Sequence, residues 1–121
     1  MHARKDLEKI LTDGGLAQLG DALINFVFSL ALTERSGKPK GARVPDKTLA
    51  EAAVKAGLRG HLPRRIARGD VANSLEALVG FAWLNKLVTL DEMLECLKID
   101  RLDPSENFAQ LAELALARLE K

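Results

Sequence analysis

Tyrosine is absent from this chain, aromatic residues make up only 4% of it, and its single cysteine is Cys96. One cysteine excludes an internal disulfide and any cysteine-based zinc site. Scarce aromatic and β-branched residues leave little material for strands, whereas abundant Leu and Ala favour helices. The charged start Met1-His2-Ala3-Arg4-Lys5-Asp6 is followed by no apolar signal-peptide core. The longest apolar stretch, 22–32, is interrupted by Asn25 and Ser29 and is too short to span a bilayer. His2 and His61 are too isolated to form a metal pair or a catalytic triad. The loop around Gly37 and Gly41 lacks the spacing of a phosphate-binding nucleotide loop. These absences predict a soluble, cytoplasmic, all-α protein with no membrane partner.

What is present is enough for one helical domain. The chain has 121 residues, 47% of them hydrophobic, so residues 1–121 are read as a single domain with a real core. A short amphipathic helix is expected over 5–11, ended by Asp13-Gly14-Gly15. A long, largely buried helix follows over 16–33, where Gly20 permits a close backbone approach. After a Gly/Pro loop, Asp46 is read as the cap of a helix over 47–56, with Gly57 as its stop. His61-Leu62-Pro63 starts a short basic segment of one or two helical turns. Asp70 is read as the cap of a helix over 71–85, with Leu75, Leu78, Val79 and Ala82 at helical spacing and Trp83 in the core. Thr89 and Glu92 have capping-box spacing for a helix reaching Lys98. Asp103-Pro104 opens a last helix over 105–119. The fold expected is an all-α bundle of about six to seven helices.

The formal net charge of +1 hides an uneven layout. Between Arg35 and Arg68 stand ten basic residues: Arg35, Lys38, Lys40, Arg43, Lys47, Lys55, Arg59, Arg64, Arg65 and Arg68. Only Asp46 and Glu51 oppose them, so the remainder of the chain is acidic. A block of one sign points either to an anionic partner, nucleic acid first, or to a solubilising face. Lys38, Lys40, Arg43, Arg59, Arg64, Arg65 and Arg68 are the candidate contacts for such an anionic partner.

Two carboxylates fall where helices should bury aliphatic side chains. They are Asp21 in Leu19-Gly20-Asp21-Ala22-Leu23 and Glu76 in Asn73-Ser74-Leu75-Glu76-Ala77-Leu78-Val79-Gly80. A buried carboxylate needs a partner. Asp21 and Asn25 share one helix face, and Asn73 and Glu76 share another. Packed together, the two helices offer oxygen ligands suited to Mg²⁺ or Mn²⁺; the alternative is two helix carboxylates paired to arginine or facing water. Cys96 reads as a small apolar filler.

These segments resemble the ribonuclease III family, whose first motif ends Leu-Gly-Asp-Ala and whose second reads Asp-x-x-Glu-Ala-Leu-Ile-Gly. Here they are Leu19 to Ala22 and Asn73 to Gly80, with the right order and intervening length. Two acidic positions of the family pattern differ: Ala17 stands where a Glu is usual, and Asn73 where the second motif has Asp. The outline is similar to the mini-ribonuclease III group and to small archaeal relatives, with no double-stranded-RNA-binding domain. The resemblance implies a homodimeric, Mg²⁺-dependent endonuclease of double-stranded RNA, with Asp21 and Glu76 as metal ligands and Asn73 as neutral ligand or water positioner. The runner-up is a dimeric RNA-binding module of the same fold that has lost turnover through Ala17 and Asn73, and a third reading is a helical interaction protein with no RNA partner. Dimerisation is expected through the excess apolar surface of the helix over 16–33, including some of Leu23, Phe26, Val27 and Leu30.

Overall fold

The structure, a computed structural model, describes residues 4–99 and 103–120; His2 lies outside them. In chain order the elements are α1 (Arg4–Leu11), α2 (Gly14–Ser36), α3 (Asp46–Lys55), a 3₁₀ turn (Leu58–His61), α4 (Arg68–Leu84), α5 (Leu90–Leu97) and α6 (Pro104–Leu119). No strand occurs among the described residues.

Local chemistry sets most helix ends. The Asp13 carboxylate accepts from the Leu16 amide at 2.9 Å, so α2 starts at Gly14, two residues before the hydrophobic pattern. Gly37 ends it in the left-handed region, at φ 76°. Thr89 and Glu92 form the full capping box of α5, and Asp103 caps α6 with Pro104 in its first turn. Two expected caps are corrected. Pro45 and Ala67, both extended, precede α3 and α4, which places Asp46 and Asp70 inside the first helical turns. Their charges still complement the helix dipoles there. The segment after His61 is irregular up to Ala67 apart from the 3₁₀ turn before it, because Arg59 bonds the Pro63 and Arg64 carbonyls.

Helix α4 is the centre of the bundle. Ten of its residues, including Glu76, are buried, and α1, α2, α3 and α6 all pack on it. Helix α5 bridges α2 and α6. Arg118 ties α6 to the Leu87 carbonyl ahead of α5 at 3.0 Å and to Glu92 of α5 at 2.6 Å, and Arg35 caps the C-terminal end of α5 at the Leu97 carbonyl. Trp83 is only half-buried; Phe108, stacked obliquely on Phe28, is the aromatic core residue. Helix α2 is long and apolar enough to cross a membrane by length and composition. Its Ala17-Gly20-Ile24-Val27-Ala31 stripe is nevertheless buried against the rest of the domain.

Two features of α2 position the site. The first is its crossing with α4, which is a backbone contact. A Cβ on Gly20 would lie 1.8 Å from the Glu76 carbonyl oxygen, and one on Gly80 would lie 2.6 Å from the Leu16 carbonyl oxygen. The second is a polar ladder to the extended loop after Gly37. Thr33 Oγ1 accepts from the Lys40 amide (2.9 Å), Ser29 Oγ from the Ala42 amide (2.9 Å) and Asn25 Oδ1 from the Val44 amide (2.7 Å). Four residues of helix rise about 6.0 Å and two extended residues about 6.6 Å, so the rungs stay in step.

The crossing predicts a sharp asymmetry among glycines. Gly20→Ala should destabilise the domain by about 3 kcal/mol or more, since backbone on both sides must move. Gly14→Ala, which meets nothing within 4 Å, should be neutral or stabilising. Urea unfolding of the two variants, followed by far-ultraviolet circular dichroism, checks the difference.

Candidate active site

Because the α2–α4 crossing brings Gly20 onto the backbone of Glu76, the next residue on α2, Asp21, is carried beside the Glu76 side chain. Glu76 is 4% exposed and Asp21 is half-buried. The Glu76 carboxyl is pushed up from 4.5 to about 8, first by burial, then by its hydrogen bond to Asp21 and the charges of Asp21 and Asp46. At neutral pH this favours the protonated, neutral form of the Glu76 carboxyl.

The surrounding groups orient this pair. Asn25 donates from Nδ2 to Asp21 Oδ1 at 3.0 Å and to the Asp21 carbonyl at 2.9 Å. The Asn73 amide, oriented to satisfy both neighbours, donates to Glu76 Oε1 at 3.1 Å and to the Gly69 carbonyl at 3.3 Å. Asn73 thus acts on Glu76 as a donor, which an aspartate at that position would not do. Ala17 and Asn73, the two positions that depart from the acidic pattern, line one small cavity of about 230 Å³ with Asp13 and Asp70.

Two residues of the site were missed by sequence reasoning in whole or in part. Asp46, read only as a helix cap, lies close enough to raise Glu76 electrostatically. Arg43, read only as a candidate phosphate contact, has Nη2 3.6 Å from Asp21 Oδ1 and favours the charged form of Glu76. The loop that carries Arg43 has no periodicity, so only the ladder from Asn25, Ser29 and Thr33 discloses where it lies.

The donor set around Asp21 and Glu76 consists of oxygen atoms from two adjoining helices. It fits a hard cation such as Mg²⁺, which binds through one or two carboxylates and keeps several waters. Among the described residues no group of three or more His, Cys, Asp or Glu side chains converges to hold a metal ion. Any cation held there would rely on water and on a ligand's own oxygens.

The basic residues divide into two sets. Arg35, Arg43, Lys55 and Arg59 are engaged within the domain, Lys55 with Ser105 at 2.7 Å and Arg59 with the 63–64 carbonyls. Lys38, Lys40, Arg64, Arg65 and Arg68 are exposed. Arg68 and Lys47 line a groove of about 790 Å³ along α3 towards the start of α6, together with Lys55 and Arg59. Cys96 is half-buried against the core, and burial pushes its thiol up.

A sequence model of one protein family, described as Ribonuclease III, matches residues 14–120 of the chain. No individual curated protein matches it.

The raised carboxyl makes stability depend on pH in a fixed direction. Between pH 4.5 and about 8 the folded chain holds a proton on Glu76 that the unfolded chain releases. The stability Glu76 contributes is therefore complete below pH 4.5 and is lost as pH rises to about 8, by up to about 1.4 kcal/mol per pH unit. Thermal melts in a chelating buffer should show Tm falling across that window for the native chain. In Glu76→Gln the fall should be much shallower.

Proposed function

The chain belongs to the ribonuclease III family, and from that premise we propose that it is a cytoplasmic, metal-dependent endoribonuclease that cuts double-stranded or otherwise structured RNA. The observation that carries this reading is the pairing of Asp21 and Glu76 across the glycine-lined crossing of α2 and α4. Asp21 and Glu76 would hold a Mg²⁺ ion, or Mn²⁺ in its place, which would supply an activated water and charge neutralisation at the scissile phosphate. Holding a cation there would require the charged form of Glu76, so loading would be favoured by rising pH. Asn73 holds Glu76 Oε1 and Asn25 holds Asp21 Oδ1, which fixes the directions of the carboxylates' remaining lone pairs. Lys38, Lys40, Arg64, Arg65 and Arg68 are the free cations proposed to meet the phosphate backbone, and recognition is of A-form shape more than of sequence.

Two copies are proposed to pair through the outer face of α2, so that two sites flank one duplex. Phe26 is 55% exposed there, with half-buried Leu23 and Leu30 beside it. Val27 is removed from that face: at 1% exposure it is packed inside its own domain, one helical step round from Phe26.

The absence of a third converging acid among the described residues favours a second reading, an RNA-binding module with little turnover. Incubating duplex RNA with and without Mg²⁺ separates the two. For the nuclease, Glu76→Gln should lower Mg²⁺-dependent cleavage more than about 100-fold, because even outer-shell partners of metal ligands are worth roughly 10–100-fold. Metal-dependent cleavage undiminished in Glu76→Gln would remove the site.

The RNA surface has its own signature. Arg64→Ala with Arg65→Ala should reduce the salt slope of duplex-RNA binding by about one unit for each phosphate no longer neutralised, with sequence preference unchanged. Fluorescence anisotropy across a salt series, with Tm measured in parallel, checks this.

A further inference from the structure

The cation that stands on the carboxylate pair is the chain's own Arg43. Its guanidinium is 78% exposed and makes one ionic contact, Nη2 to Asp21 Oδ1 at 3.6 Å. Its backbone, by contrast, is pinned on both sides. Ala42 exchanges two hydrogen bonds with Ser29, at 2.9 and 3.1 Å, and Val44 donates to Asn25 Oδ1 at 2.7 Å. The same Asn25 donates to Asp21 Oδ1 at 3.0 Å, so one amide joins the loop to the carboxylate that Arg43 approaches. Arg43 is therefore a long, exposed side chain on a pinned backbone, held beside the site by one ion pair among the described residues.

We propose that Arg43 is an exchangeable counter-ion of the carboxylate pair: it neutralises Asp21 while no divalent cation is held, and it turns to an RNA phosphate when one is. The inference rests on the nuclease reading above. A divalent cation between Asp21 and Glu76 takes over the negative charge that holds Arg43 and repels the guanidinium. The displaced guanidinium stays within reach of the site because its backbone is pinned. An anionic strand arriving at the same carboxylates is the nearest alternative partner, and a guanidinium suits phosphate oxygens through its paired donors. Metal and RNA binding are thereby coupled through one positioning residue, and the coupling is reciprocal.

The test measures Mn²⁺ binding to the full chain, without RNA, from the free-ion electron paramagnetic resonance signal. Wild type, Arg43→Gln, Arg43→Lys and Glu76→Gln are compared at low salt. Arg43→Gln should bind Mn²⁺ about two- to five-fold more tightly than wild type, the range an exposed ion pair can exert. Arg43→Lys, which keeps the charge, should stay near wild type. Duplex-RNA affinity is then read by stopped-flow anisotropy before cleavage, in chelator and in saturating Mn²⁺. In chelator, Arg43→Gln and wild type should bind alike, since Arg43 is occupied by Asp21. The gain from adding Mn²⁺ should be larger in wild type. A merely structural Arg43 would leave Mn²⁺ affinity equal or weakened in Arg43→Gln, and either result overturns the proposal, as do equal gains from Mn²⁺. If Mn²⁺ binds wild type in a Glu76-dependent way while Arg43→Gln shows no tightening, this inference alone fails. If wild type binds Mn²⁺ no better than Glu76→Gln does, the metal site and the inference fall together.

Discussion

The contact between Gly20 and Gly80 at the crossing of α2 and α4 is the constraint on which the rest depends. Side chains normally hold helix axes 8–10 Å apart. Here the Glu76 carbonyl occupies space that any Cβ on Gly20 would need. Two consequences follow from that one approach. It lets α4 sit at the centre with neighbours on most sides, so a domain of this size buries Leu75, Leu78 and Val79 almost completely. It also sets Asp21 beside Glu76, because the residue after the small one on α2 falls against the second carboxylate. Stability and the candidate chemistry are tied to the same few ångströms of backbone.

A carboxyl placed this way is an electrostatic liability until something answers it. Burial alone raises Glu76, and Asp21 and Asp46 raise it further. The domain answers with amide donors and one exposed guanidinium. Asn25 and Asn73 each give a hydrogen bond to one carboxylate, and Arg43 supplies charge from the solvent side. None of these is a buried cation, so the pair keeps its affinity for an incoming positive charge. Sites of this kind trade stability of the empty protein for readiness to bind.

The basic third of the chain carries more than one task. Arg35 closes the end of α5, Arg59 shapes the irregular segment before α4, Lys55 reaches the start of α6, and Arg43 serves the acidic pair. Lys38, Lys40, Arg64, Arg65 and Arg68 remain exposed. A count of charges cannot separate these roles, since arginine caps a carbonyl and grips a phosphate with the same donors.

Helical periodicity, Leu and Ala content, the Thr89–Glu92 box and the Asp103-Pro104 start were legible in the sequence because they act within one or two turns. The motif pair around Asp21 and Glu76 was legible too, since its spacing marks two helices and its composition breaks their apolar faces. Asp46 was legible only as a helix-start charge. Its influence on Glu76 depends on α3 packing against α4, a contact that no local pattern encodes. The contact of Arg43 with Asp21 was not legible for a similar reason: its position follows from three α2 side chains, spaced four apart, meeting a loop whose residues are spaced two apart. Val27 and Phe26 are neighbours of equal apolarity, and only packing decides that one is core and the other is surface. The sequence by itself determined which helices form and which carboxylates break their faces, because those are short-range properties of the chain. The tertiary structure alone decided which charges neutralise which, because that depends on distances between segments that the chain order leaves free.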